Sequence, residues 1–384
     1  MPASNTNRGS IGRWAAVVAG IACMTAAVVL RPRGTEPPVP APNPGVVRSP
    51  IAWADIQVPP VPEDLASLAK AGERLFLQEC AVCHGKEGKG DGEAAPRLEH
   101  RPRDFTRGNF KFRSSALGEV PFDDDLYRTI TRGIPVAGMP SYADLAEADR
   151  WALIAHVKTL SRRQFDDGDV VDYFEARRPT NRISYDVEGR QVTKDAAKRG
   201  AELFRGERGG CILCHGPSGR GDGISANDLK DDNDLPVRPA DLTRGPAVLK
   251  TGCEPKDIFR ILTNGMCGTP MPSFRGNLTE DERWDVVCFV TSLFEPIPAG
   301  ELLYARAGCK GCHKIGGGER IGPDLAGVTE RRGESFLRGW LSASGNPQAR
   351  TPPDGTPTPK CSLAPGEVDL ILGYLRDAGA GVRK

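Results

Sequence analysis

Three of the five histidines in this 384-residue chain directly follow a cysteine, and the cysteines number eleven. Cys80-Ala81-Val82-Cys83-His84, Cys211-Ile212-Leu213-Cys214-His215 and Cys309-Lys310-Gly311-Cys312-His313 repeat one spacing. Cysteines three apart lie on one face of a helical turn, so both thiols can form thioethers with the two vinyl groups of a single haem. The histidine that follows then points at the iron as its proximal ligand. A zinc site would need further Cys or His at ligand spacing, which these segments lack, and a thioredoxin-like redox pair is the other alternative. Three matches point to three covalently bound haem c groups. They are held by Cys80, Cys83, Cys211, Cys214, Cys309 and Cys312, with His84, His215 and His313 on the irons.

The motifs must be positioned by something, and each sits at the same place in an internal repeat. The first copy reads GERLF at 72–76, then the Cys-His motif, RPRDFTRG at 101–108, RTITRG at 128–133, GMPSY at 138–142 and DRWALIAHVKTL at 149–160. The second reads GAELF at 200–204, RPADLTRG at 238–245, RILTNG at 260–265, PMPSF at 270–274 and ERWDVVCFVTSL at 282–293. A shorter third copy has GELLY at 300–304, GPDL at 322–325 and EVDLILGYL at 367–375. Apolar residues at helical spacing over 64–79 and 144–160 predict helices, and no stretch alternates long enough for an extensive sheet. The Gly-rich loops after each histidine carry no periodicity and read as irregular.

These features resemble class I c-type cytochrome domains: a first helix, the Cys-x-x-Cys-His motif, a loop-rich wrap, a Met-Pro ligand loop and a last helix. The resemblance spans roughly 66–380 and implies an all-α fold, with three tandem cytochrome c-like domains following an N-terminal transmembrane helix. In that family a Gly/aromatic pair on the first helix crosses an aromatic position on the last. Gly72/Phe76, Gly200/Phe204 and Gly300/Tyr304 would meet His156, Phe289 and Tyr374, which makes His156 a packing residue. Met139 and Met271, 55 and 56 residues after His84 and His215, stand where the family places its sixth iron ligand. Met266 is a spare candidate that aligns with Ile134. His/Met ligation raises the potential and leaves no open position, which suits electron transfer.

The third copy departs from this pattern, because no methionine follows Met271. Thr358-Pro359 takes the place of Met-Pro in the segment PTPKCSL at 357–363. Cys361 as thiolate, Lys360 as neutral amine, an open or water-bound iron, and a ligand from elsewhere are the alternatives. In the loops, Arg101, Arg103, Arg107, Arg238 and Arg244 are candidates to pair with haem propionates, with solvated surface as the equal alternative. His100 reads as an exposed or propionate-side residue. Cys253 and Cys267 occur only in the second copy, which suggests a disulfide between them, with free or separately paired thiols as the alternative. Cys288 reads as core.

The flanks and the composition set the context. Trp14 to Leu30 is an uncharged stretch between arginines, read as an uncleaved membrane anchor, with a cleaved signal peptide or a buried helix as alternatives. Nine prolines between Gly34 and Glu63 make an extended stem. The expected divisions are an anchor or signal at 1–33, a linker at 34–63, domains at 64–163, 195–296 and 297–384, and a second linker at 164–194. A net charge of +1 excludes a sequence-wide field for nucleic acid.

The resemblance implies an electron carrier rather than an enzyme. It would relay single electrons between respiratory redox proteins, a donor and an acceptor, with its haem domains on the periplasmic or equivalent outer side of the cytoplasmic membrane. Catalysis at the third haem is a second reading, and a gas or redox sensor a third.

Overall fold

A glycine at the same point of each repeat decides how its helices meet. In the computed structural model, which describes Trp53 and residues 56–185, 187–342 and 363–381, three helix pairs cross. They are Ala69–Glu79 with Glu147–Leu160, Lys194–Arg205 with Glu280–Ser292, and Ala299–Arg306 with Pro365–Gly381. A Cβ at Gly72 would lie 1.8 Å from the Ala152 carbonyl oxygen, one at Gly200 1.9 Å from that of Asp285, and one at Gly300 2.3 Å from that of Leu370. Only glycine lets two backbones approach this closely. One turn further along, Phe76 and His156 meet at 5.0 Å between ring centroids, Phe204 and Phe289 at 5.1 Å, and Tyr304 and Tyr374 at 5.4 Å. His156 is therefore part of the packing.

Local sequence starts these helices where the crossing needs them. Thr193 accepts from the Ala196 amide at the start of the second module's first helix. Thr279 and Glu282 form a reciprocal capping box at the start of its last helix, at 3.2 and 2.8 Å. Each pair carries its own buried apolar cluster: one around Phe76, Trp151 and Ile154, one around Phe204, Val287 and Cys288, and one around Tyr304, Ile371 and Leu372. The long loops between first and last helix wrap these clusters, and the Cys-x-x-Cys-His turns lie at the start of those loops.

The interval 164–194 is more than a spacer. Arg162–Gln164 pairs antiparallel with Val170–Asp172, with Arg163 opposite Val171. Asp172 then accepts from the Phe174 amide at 2.9 Å, a turn that sends Phe174 into the first module's cluster. A three-residue strand is too short for alternation to show in the sequence.

The modules also hold one another. Between the first and second, the buried Arg113 donates to the Asn264 carbonyl at 3.1 Å, and the Asn264 amide returns a bond to the Arg113 carbonyl at 2.8 Å. Trp53, near the end of the stem, is 3% exposed. Its indole donates to Thr129 at 3.0 Å and lies beneath the guanidiniums of Arg260 and Arg128, 4.2 and 5.3 Å away. Between the first and third modules, Gly311 of the third Cys-x-x-Cys turn meets Gly138 so closely that a Cβ at Gly311 would lie 2.2 Å from the Gly138 Cα. Arg320 pairs with Glu99 at 2.9 Å across the same boundary. Arg244 and Glu301 form an ion pair between the second and third. The stretch 14–30, most of the stem, and Lys360 and Cys361 lie outside the described residues.

The crossing glycines give a direct test. Gly200→Val forces a branched side chain into the Asp285 carbonyl and is expected to cost at least the ~1–3 kcal/mol of an overpacked core. Chemical denaturation should show the loss in the second module. An unchanged midpoint would mean that the close crossing is not needed.

Candidate haem-binding sites

The three motif histidines are held the same way. Nδ1 of His84 is 3.1 Å from the Arg103 carbonyl oxygen, that of His215 is 3.3 Å from the Ala240 carbonyl, and that of His313 is 2.9 Å from the Pro323 carbonyl. Donation from Nδ1–H fixes the ring and leaves the Nε2 lone pair to ligate a metal. Burial holds the His84 imidazole neutral, pushing it down to about 4, against the smaller upward pull of the Arg103 carbonyl. Burial moves His215 and His313 down as well.

Each accepting carbonyl precedes an aspartate that shapes its turn. Asp104 accepts from the Thr106 amide and hydroxyl at 2.9 and 2.6 Å, and Asp241 from those of Thr243 at 3.0 and 2.7 Å. Asp324 accepts from the amides of Gly316, Ala326 and Gly318 at 2.8, 2.8 and 2.9 Å. In RPRDFTRG and RPADLTRG it is these aspartates, rather than the arginines, that shape the turn behind the histidine. The Asp shared by RPRD, RPAD and GPDL was the available signal.

The first module has a solvent-open cavity against this turn. Cys80, Cys83 and His84 line it, Met139 lines it too, and Phe105, Leu126 and Ile154 are among its apolar residues. The His84 ring stacks on Phe105 at 4.6 Å between centroids. Burial, the largest cause for each, pushes the Cys80 thiol up to about 12 and the Cys83 and Cys211 thiols up to about 11. These thiols stay protonated, unlike metal-ligating thiolates. Among the described residues no three His, Cys, Asp or Glu side chains gather as a metal cage. An apolar chamber with two thiols, a neutral oriented imidazole and a thioether fits a haem held through its vinyl groups.

The methionine segments are built alike in the first two modules. The Met139 carbonyl accepts from the Ile134 amide at 2.9 Å, and the Met271 carbonyl from the Met266 amide at 3.0 Å. Ser141 and Ser273 donate to the carbonyls of Thr131 and Thr263 at 2.7 and 2.6 Å. Gly133 and Gly265, both at φ +66°, make the turn that admits the loop. Met266 thus pairs with the Met271 segment as Ile134 pairs with that of Met139. In the third module, Tyr304 donates to the His313 carbonyl at 3.1 Å, and His313 lines an open cleft with Tyr304, Tyr374 and Arg320.

A family model described as cytochrome c oxidase, cbb3-type, subunit III matches residues 67–157 and again 195–290, and one described as cytochrome c matches 297–379. The chain belongs to the c-type cytochromes. Covalently bound haem c and electron transfer follow from that membership, and the separate match of the third copy agrees with its shorter sequence. This cytochrome is also similar to a chain of the reducing HAO-like protein complex of Kuenenia stuttgartiensis. The two are 35% identical with a TM-score of 0.54, over 62% of this chain and 100% of that one. Comparison with curated proteins gave no match.

Several expectations need correction. Cys253 and Cys267 are free thiols, not a disulfide. Cys253 faces Arg306 of the third module at 3.5 Å, whereas Gly268, next to Cys267, lies against Arg103 of the first. The two cysteines therefore serve different interfaces. Of the arginines that were candidates for propionates, Arg107 donates to the Asp232 carbonyl at 2.6 Å, Arg238 bonds Asn227, and Arg244 pairs with Glu301. Arg101 and Arg103 do line the first cavity, as does His100. Cys288 is fully buried in the second cluster.

Two outcomes test this site. Alkylation without prior reduction is expected to label Cys253 and Cys267 once the chain is denatured; labelling that requires a reductant would contradict the free thiols. Asp241→Ala removes the turn behind the His215 carbonyl and is expected to lower stability by about 1 kcal/mol. Denaturation followed at the haem absorption band reads that loss.

Proposed function

We propose that this c-type cytochrome carries three haems, one per repeat, and relays single electrons between redox proteins. The observation that supports the count is the threefold recurrence of one arrangement: Cys-x-x-Cys-His with the histidine Nδ1 on a backbone carbonyl. Haem supplies the one-electron chemistry at its iron. The chain's own residues provide the rest. Six cysteines hold the group, three carbonyls orient the imidazoles, Met139 and Met271 offer thioethers as sixth ligands, and the apolar walls around Phe105 and Ile154 exclude water.

The proposed setting is the outer face of the cytoplasmic membrane, with residues 14–30 as the anchor and the proline-rich stem as spacer. Among the described residues no helix is long and apolar enough to cross a membrane, and 14–30 lies outside them. Similarity to a chain from an HAO-like complex favours a partner that is itself a redox protein. The near-zero net charge implies docking through local patches rather than a global field.

Intact mass and haem quantitation of the full chain, matured where haem c is attached, are expected to give three haems. Replacing both cysteines of any one motif should remove a single haem. Two or fewer haems in the unmodified chain would refute the count. Met271→His is expected to lower the midpoint potential of one haem, since Met/His ligation raises it.

A further inference from the structure

The first cavity has a cationic side to which two modules contribute. His100, Arg103 and Lys111 come from the first module, and Lys250, which also lines the cavity, comes from the second. The acidic groups nearby are Glu99, Asp231 and Asp232. Glu99 is paired with Arg320 at 2.9 Å, Asp231 accepts from the Asn233 and Leu235 amides at 2.9 and 3.1 Å, and Asp232 lies 3.6 Å from Arg103 and also accepts from Asn109. Lys111 and Lys250 remain, both half-buried, with no hydrogen bond or ion pair from either ammonium to another described residue. Unmatched charges in such surroundings are costly. Burial first, then Arg103 and Lys250, push Lys111 down to about 7. Burial, against the pull of Glu99, takes Lys250 down to about 8. Burial and the Lys250 charge bring His100 down to about 4. The cluster therefore lacks an anion.

We propose that Lys250, with Lys111 and His100, forms a dicarboxylate site for the propionates of the haem in the first module, so that the second module completes the first module's binding site. Two carboxylates supply the missing negative charge, and the cavity that the cluster shares with Cys80, Cys83, His84 and Met139 selects the haem's own carboxylates. The backbone of the same segment is tied down at the boundary, where Arg132 of the first module donates to the Lys250 carbonyl at 3.4 Å. The inference rests on the tri-haem reading, and in particular on a haem in the first module.

A cation near a haem favours its reduced form, which carries one positive charge fewer. Spectroelectrochemical titration of the full haem-loaded chain should therefore show that Lys250→Met lowers the midpoint of a single haem. The expected change is about tenfold in the reduction equilibrium, or ~59 mV for one electron. That haem should be the one missing from a chain with Cys80→Ala and Cys83→Ala. Lys250→Arg should restore most of the potential, and Lys111→Met should lower the same midpoint, which provides a reading if Lys250→Met does not fold. A full haem complement with unshifted potentials would overturn the proposal, as would an equal shift of every haem. So would a Lys250→Met effect that disappears when the phosphate concentration is varied, because the site would then hold a free anion. A chain that binds no haem in its first module would instead refute the tri-haem reading beneath it.

Discussion

Each repeat depends on one close approach, the passage of the first helix across the last at a residue without a side chain. With Gly72, Gly200 and Gly300 in place, the backbones touch and the rings one turn away are brought into inclined contact. The two helices then form a rigid corner. The Cys-x-x-Cys-His turn follows directly from the first arm of that corner and the methionine loop runs into the second. Helix packing thus fixes where each loop begins and ends, and turns within the loops then place the histidine and the methionine segment.

The histidines show how a loop with no regular structure can still be exact in its chemistry. A backbone carbonyl needs no particular side chain, so Arg103, Ala240 and Pro323 can all serve the same imidazole bond. What must stay constant is the turn that aims the carbonyl, and an aspartate accepting from the amide two residues on provides it each time. Orientation of the imidazole is therefore delegated to a short-range carboxylate–amide contact, which folds locally and does not depend on the core.

Much of this was legible in the sequence because it repeats. Spacing picked out the Cys-x-x-Cys-His segments, alignment of the copies matched Met139 with Met271, and the resemblance to class I c-type cytochromes implied that Gly72 and Phe76 cross His156. What stayed hidden depends on contacts between copies. Arg107 and Arg244 look like haem-edge arginines when one repeat is read alone, yet both reach neighbouring modules. Cys253 and Cys267 look paired because both are additions to one copy, but they face opposite boundaries. Lys250 gave no signal at all, since a lysine in a loop of the second copy acquires meaning only against the cavity of the first. The hairpin at 162–172 was too short for its alternation to register.

The Gly138–Gly311 contact closes what would otherwise be a string. The first module touches the second through Arg113 and Asn264, the second touches the third through Arg244 and Glu301, and the third returns to the first. In a string, severing one link between neighbours separates the ends. In a ring it does not, because each module is still reached from the other side. The covalent connection between second and third modules is thus duplicated by a non-covalent one, and a single break in the chain there leaves a path of contacts joining all three.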